Sequence, residues 1–538
     1  MRAAFPSEAP STSSWNEARV RGSSSAATPH LRRLRPGSQQ AESFRVSPAG
    51  RRGWHFRGRT SARAHEREPA GTQERPLQCQ SRRTRPWPCC TSRERRHAEE
   101  PRTSTPHGPP GAFVRATTVA DPWSAGADDV RRFEVNGDNR EDVAGVEQEQ
   151  PGNGAPWLLY GAYGFTGRLL AAEAVRRGHR PILAGRDAGR LREWAEVLEK
   201  GFQLPEPLRI RAFALDEGPD IRRGLEGVAA VLNAAGPFGK TARPLMEGCL
   251  EARAHYLDIT GEVPVFETAF ELSDQARDRG LIFMPGVGMD VIPTDAAAAL
   301  VARVLPDALR LELALHSPGR PSAGTLQTIV EGLPDGLRVR RGGRLVRSSP
   351  GRKEFRRWVD LGPEEDNGPM AGKLGGRRSV APFTWGDLAT AWRTTGIPDI
   401  TCYMTTPRRQ ARTLPVVLPA LQALLSISPV RRLARSLVTR GADGPSPEAR
   451  ARGRCRIWGR AEDAGGRAAE VVLEFPEAYR FTAEGGIRAL EQLLKQAAAR
   501  KEGDPLGAGT LTPAGAFGPE WALELPGVRV VREPGLKD

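Results

Sequence analysis

The chain has little with which to staple itself, bind a metal or run common acid–base chemistry. Its 538 residues hold six cysteines, and Cys79, Cys89 and Cys90 precede any regular hydrophobic pattern. Cys249, Cys402 and Cys455 are far apart, which excludes a disulfide-dense secreted scaffold and fits reduced thiols in an intracellular protein. Adjacent cysteines rarely share one tetrahedral ion, so Cys79, Cys89, Cys90 and His97 do not form a zinc pattern and no metal site is expected. Tyrosine is scarce at five residues, and five of the eight histidines fall before residue 120. A secretory apolar segment is missing from the N-terminus, so a cytoplasmic body is expected. Long hydrophobic runs are missing too. Leu414 to Val430 comes nearest, but it is short for a span, contains Pro415, Pro419 and Pro429, and carries Gln422. A buried or interfacial helix is expected there, and Arg431, Arg432 and Arg435 directly after it leave a peripheral membrane contact as the alternative.

The first 120 residues lack lysine altogether while holding 22 arginines and 9 acidic residues. Their charge of +13 leaves only +2 of the total +15 for the other 418 residues. The basic pI of about 10.2 is therefore a property of the leader. Without apolar periodicity such a segment cannot bury enough surface to offset its ordering entropy, so 1–152 reads as a disordered Arg/Pro/Ser-rich leader. Dense arginine with Trp15, Trp54 and Trp87 admits an RNA-binding arm, yet a transit peptide or an over-extended translation start fits better, and no nucleic-acid partner is expected.

What is present begins at Trp157. In WLLYGAYGFTG an apolar run ends in glycines spaced three apart, and Leu169, Leu170, Ala172 and Val175 follow with helical spacing until Gly178. Such a strand, turn and helix bring backbone N–H groups to a pyrophosphate, which makes Gly161, Tyr163, Gly164, Phe165, Thr166 and Gly167 candidate cofactor contacts. A second strand, Arg180 to Ala184, ends in Gly185 and Arg186, where an NAD-specific unit would place a carboxylate for the ribose hydroxyl. Gly185 leaves room for a 2′-phosphate, Arg186 offers it a planar fork, and Arg190 adds a second charge one turn on. NADP(H) is thus the expected cofactor, with Asp187 read as a helix cap. Further strands are expected at Leu208–Leu215, Ala229–Ala234, Tyr256–Thr260 and Leu281–Pro285, alternating with helices as in a doubly wound parallel sheet. Asp216 stands where such folds contact adenine, and Asn233, Gly236 and Pro237 lie at a strand's carboxyl end, where nicotinamide would pack.

Beyond Pro285 the pattern changes to strands with longer connections, at Arg310–His316, Gly343–Arg347, Arg454–Ala461 and Glu470–Phe475, and Tyr479 to Glu484 is expected to cap a helix reaching Arg500. The expected architecture is α/β: a Rossmann-type sheet over 153–290, a second α/β domain over 291–484, and a C-terminal helix and tail over 485–538.

In order, GAYGFTG, LAGR, VLNAAGPF, YLDITGE, PGVGMDVIPTD and GTLTPAGAFG resemble the saccharopine dehydrogenase-like oxidoreductases, a family that includes trans-acting enoyl reductases. The resemblance runs from about Ala155 to Val531. It implies an NADP-binding Rossmann domain, a second α/β domain, and a final segment returning to the first. Catalytic groups are less defined. The Tyr-x-x-x-Lys pair of short-chain reductases is absent, since Tyr256, Tyr403 and Tyr479 are followed at that spacing by Thr260, Pro407 and Ala483. Tyr256, Asp258 and Glu262, at a strand's carboxyl end, are the candidate proton-transfer groups, with helix capping as the competing role for the two acids; His255 and His316 read as structural. The expectation is an NADPH-dependent reductase of a C=C (enoyl) or C=N bond in a small-molecule or carrier-bound lipid substrate. A non-catalytic NADP-binding regulator and a membrane-associated lipid-handling protein stand as alternatives, and no cluster dedicated to an amino-dicarboxylate favours saccharopine itself.

Overall fold

The computed structural model describes residues 155–348, 355, 357–367, 373–438, 444–499 and 507–537, so the leader expected over 1–152 lies outside the described residues. Six short strands come first: β1 (Trp157–Tyr160), β2 (Ile182–Gly185), β3 (Ile210–Ala212), β4 (Ala230–Asn233), β5 (His255–Asp258) and β6 (Ile282–Met284). They lie in the order 3-2-1-4-5-6, all parallel. Every residue of β1, β2 and β4 is buried, because helices cover both faces of a parallel sheet and leave no wet side. The helices are α1 (Phe165–Arg176), α2 (Ala188–Gly201), α3 (Gly218–Leu225), α4 (Phe238–Ala252), α5 (Val263–Glu271) and α6 (Ser273–Asp278). Asp187 caps α2 by accepting the Arg190 N–H at 3.1 Å. The strand order reverses between β1 and β4, which opens a crevice at their carboxyl ends.

Helix α7 (Ile292–Val304) leads out of this unit, and it is buried without a break from Ile292 to Val301. Apolar on all sides, it packs against the second sheet rather than facing water. That sheet contains β7 (Arg310–His316), a hairpin of β8 (Arg338–Arg341) and β9 (Arg344–Arg347), β10 (Trp358–Asp360), β13 (Arg377–Pro382), β14 (Asp399–Thr405), β15 (Arg454–Glu462) and β16 (Ala468–Pro476). A separate pair joins β11 (Glu365–Asp366) to β12 (Lys373–Leu374). Of the larger sheet's pairings only β7 with β14 is parallel. Strand β8 was not expected: its sequence, RVRR, has no apolar alternation to announce it. The helices here are α8 (Ala323–Gly332), α9 (Asp387–Thr395), α10 (Arg408–Leu425), α11 (Ser428–Val438) and α12 (Pro447–Arg452).

The C-terminal part serves both sheets. Helix α13 (Ala478–Ala499) packs along α1, β17 (Gly509–Thr510) extends the first sheet beside β6, and β18 (Arg529–Lys537) pairs with β16 in the second. Short helices α14 (Pro513–Phe517) and α15 (Pro519–Leu523) lie between and pack on α7. Tyr479 to Glu484 lies within α13 instead of capping it. The cap is Glu477, whose carboxylate accepts the N–H groups of Tyr479 and Arg480 at 2.9 and 3.0 Å.

Candidate nucleotide and substrate site

The three glycines of the first turn have separate reasons to be glycine. Gly161 has φ +84°, and a Cβ there would stand 2.8 Å from the Ala235 backbone nitrogen. A Cβ at Gly167 would fall 2.1 Å from the Gly161 carbonyl oxygen, so this residue lets α1 close onto the turn. Gly164 differs: its φ of −71° and ψ of 165° suit any residue, and a Cβ would meet only the Gly161 oxygen, at 3.2 Å. Backbone strain does not require glycine at 164 and packing asks a shift of only a few tenths of an ångström, a position suited to approach of a ligand to the backbone. Gly164 also caps α1 without a side-chain hydrogen bond, which leaves the first-turn N–H groups of Phe165, Thr166 and Gly167 without a capping side chain. These features fit a dinucleotide pyrophosphate.

At the end of β2, a Cβ on Gly185 would stand 2.7 Å from the Tyr163 ring, so Tyr163 lies flat on that glycine. The Arg190 guanidinium lies over the Tyr163 ring, 4.5 Å from its centre, and Arg186 is exposed. Burial raises Tyr160 to about 12 against the opposing pull of the Arg186 charge, which places that charge near the end of β1. Two arginines thus stand near the position expected for a 2′-phosphate, while the neighbouring Asp187 carboxylate is engaged at the N-terminus of α2. Asp216 is exposed past the end of β3.

The carboxyl ends of β4 and β5 carry a buried polar network. Asn233 donates to Thr241 Oγ1 and to the Tyr256 hydroxyl, both at 3.2 Å, and accepts the Ala235 N–H at 3.0 Å. The Tyr256 hydroxyl donates to Asp258 at 2.8 Å, and the other Asp258 oxygen accepts the N–H groups of Thr260 and Gly286 at 3.0 and 2.9 Å. Burial pushes Asp258 up to about 6 against those donors, and pushes Tyr256 well above its ordinary value. Asn233, Tyr256 and Asp258 are fully buried, so they shape the loops that face the ligand and do not themselves reach it. Gly236 and Pro237 are the parts of this turn that remain open. Glu262 is engaged as well: it accepts the Phe238 and Gly239 N–H groups at 2.9 Å, capping α4, and takes the Thr328 hydroxyl of α8 at 3.3 Å. Asn233, Tyr256, Asp258 and Glu262 are thus all engaged in hydrogen bonds within the protein, an arrangement suited to positioning the loops around them. His255 likewise accepts the Ile282 N–H at 3.0 Å, and His316, held near 4 by burial, bonds Thr405 at 2.8 Å.

Two groups at the cleft escaped the sequence reading. Asp290 lies against Gly261, where a Cβ would meet its carboxyl at 2.9 Å, while its carbonyl accepts the Trp385 indole N–H. Burial lifts this carboxyl to about 7 although the residue keeps some exposure. Its signal was an acid interrupting the apolar run PGVGMDVIP. Tyr479 packs edge-on against Phe165 with ring centres 5.0 Å apart, and its hydroxyl bonds the Ser322 N–H at 2.6 Å and Thr325 at 3.0 Å. It thereby ties the glycine turn to the start of α8, more than 150 residues distant in sequence. Among the described residues no group of acids, histidines and cysteines is arranged to hold a metal.

Residues 157–284 match the family described as saccharopine dehydrogenase NADP binding domain. The chain is similar to a probable mitochondrial saccharopine dehydrogenase-like oxidoreductase of Arabidopsis thaliana, 27% identical over 212 residues, covering 36% of this chain and 46% of that one. It is similar to a trans-acting enoyl reductase of Mycobacterium tuberculosis, 32% identical over 152 residues, covering 26% and 33% respectively. The matched parts span less than half the length of these relatives. Among solved structures, apo saccharopine dehydrogenase (L-Glu forming) of Saccharomyces cerevisiae aligns with a TM-score of 0.43 and 12% identity over 72% of this chain and all of that one.

Proposed function

We propose, for a chain whose residues 157–284 belong to the saccharopine dehydrogenase NADP-binding family, that it is an NADPH-dependent reductase of a polarised C=C or C=N bond. The observation that carries the reading is the pairing of a glycine turn held open at Gly164 with the Tyr163, Gly185, Arg186 and Arg190 group, whose adjacent acid, Asp187, is engaged in capping α2. Bound NADPH would supply the hydride. The chain's own part is to hold the phosphates on the α1 N-terminus, to pin the β4 and β5 loops through the Asn233, Tyr256 and Asp258 network, and to wall the crevice with α8 through Tyr479 and Glu262. Asp290, partly exposed against Gly261 and raised to about 7 by burial, is the carboxyl assigned to deliver a proton. The substrate class is an enoyl thioester or an imine, free or carried on a lipid assembly.

The engagement of Tyr256, Asp258 and the half-buried Glu262 in hydrogen bonds within the protein favours one second reading, a non-catalytic NADP-binding regulator. NADPH consumption with enoyl-thioester and imine acceptors separates the two. Turnover that Asp290→Asn slows, with unchanged NADP affinity and a shifted pH profile, supports the reductase. Tight NADP binding without turnover of either acceptor class supports the regulator.

A further inference from the structure

Helices α10 and α11 are built inside out. Seven of the eleven large hydrophobic residues that remain exposed among the described residues lie between Val416 and Leu437. On α11, Val430, Leu433 and Leu437 share one face by helical spacing, and Leu433 and Leu437 are 59% and 52% exposed. Arg431 and Arg435 occupy the opposite side and turn inward, both pairing with Glu331 of α8. The arginines thus face the protein and the leucines face water, the reverse of an ordinary surface helix. On α10 only Ala411 and Leu425 are buried, while Val416, Leu421 and Leu424 stand out. The two helices bend by 109° at their junction, and among the described residues no single helix is long and apolar enough to cross a membrane.

Charge selects among the occupants of such a face. Residues 408–438 carry six arginines and no acid. A second copy of the face would meet like charge, and so would the leader, whose first 120 residues carry +13. An anionic lipid surface satisfies both properties at once, taking the leucines into the acyl boundary and the arginines Arg408, Arg409, Arg412 and Arg432 at the headgroups. We infer that α10 and α11 form a peripheral docking surface for an anionic bilayer. Because α11 is salt-bridged to α8, and α8 bonds Glu262 at the crevice through Thr328, docking would set the cleft mouth beside the lipid surface.

The full chain is tested by flotation with phosphatidylglycerol vesicles and with neutral phosphatidylcholine vesicles, without cofactor, so failure here leaves the reductase reading untouched. The leader's arginines also attract anionic lipid, and the decisive quantity is therefore the difference between wild type and Leu433→Glu with Leu437→Glu. These side chains are exposed, and thermal melting checks the fold. The expected result is at least a tenfold loss of binding to phosphatidylglycerol vesicles in the double variant, repeated by Val416→Ser with Leu424→Ser on the other helix. Equal binding by wild type and both variants overturns the proposal and assigns the attraction to the leader alone. Absence of wild-type flotation also overturns it, as does a lipid-free dimer that the same substitutions dissociate.

Discussion

The two sheets of this protein bury their cores by opposite means. In the first, β1 and β2 carry no charged residue, and the one polar residue of β4, Asn233, stands at its carboxyl end beside Tyr256 and Asp258 of β5, where the ligand crevice lies. In the second, charge runs through the sheet itself. Arg456 is fully buried on β15 and donates to Glu474 at 2.8 Å, to Glu365 at 2.7 Å and to the Leu361 carbonyl at 3.0 Å, while Glu474 also takes Arg529. Glu312 meets Arg357, Arg460 and Tyr403, and Glu470 meets Arg460, Arg532 and Lys537. The first sheet is specified by short local signals; the second by pairs that are distant in sequence and must all be satisfied together.

The sharpest way to break that contrast is at Arg456. Arg456→Ala removes the fully buried partner of Glu474 and is expected to cost about 3–5 kcal/mol, whereas Arg456→Met with Glu474→Leu should recover most of the loss. Denaturant titration of the three proteins measures it, and a single variant as stable as wild type would show that the network is dispensable. In the first sheet the corresponding charge, Arg186, is exposed and is proposed to act on the cofactor. Arg186→Ala should weaken NADP by about 1.5–3 kcal/mol, leave NAD nearly unchanged and not move the melting temperature. Calorimetric titration with both nucleotides decides it, and equal losses would assign Arg186 to shared phosphates or to the fold.

A smaller effect is expected where the C-terminal helix joins the first unit. Burial raises Glu491, but hydrogen bonds from His179 and Arg177, at 2.8 and 2.8 Å, outweigh it and hold the carboxylate at about 2. A depressed folded value stabilises the protein above the ordinary carboxylate range, and that stability is lost as pH falls towards about 2. Allowing for the partial exposure of the pair, about 1–2 kcal/mol should disappear over this window, and Glu491→Gln should flatten the dependence. Thermal melts across the acid range test this; an unchanged slope in the variant would remove the ion pair from the docking of α13.

Legibility in the sequence follows the same division. The strand, turn and helix at Trp157 to Val175, the cap at Asp187 and the basic residues after β2 were readable because each depends on neighbours within a few positions. Strand β7 was readable at its full length, since RLELALH keeps a strand-like apolar pattern. Strand β8 was not, because RVRR is held by β9 and β14 and not by its own pattern. At the site, Asn233 and Asp258 end their strands as expected and Tyr256 lies within β5, whereas Glu262 stands four residues past β5, before α5; their hydrogen bonds depended on which donors reached them, which spacing does not reveal. Tyr479 and Asp290 were missed for the same reason: one comes from beyond the second sheet, and the other is set apart by burial, not by a motif. The stretch Leu414 to Val430 was expected to be one buried or interfacial helix. It forms parts of two, and their apolar side chains face outward.

The central claim is that the turn at Gly161 to Gly167 is a working nucleotide site, and Gly164 tests it most directly. Its backbone conformation is open to any residue and its surroundings leave room for a Cβ with a shift of a few tenths of an ångström, so the fold should survive a side chain that a bound pyrophosphate would not. Gly164→Val is expected to keep the wild-type circular dichroism and melting transition while losing NADP binding by calorimetry. A folded Gly164→Val protein that binds NADP as tightly as wild type would contradict the assignment of the turn and the reductase reading built on it.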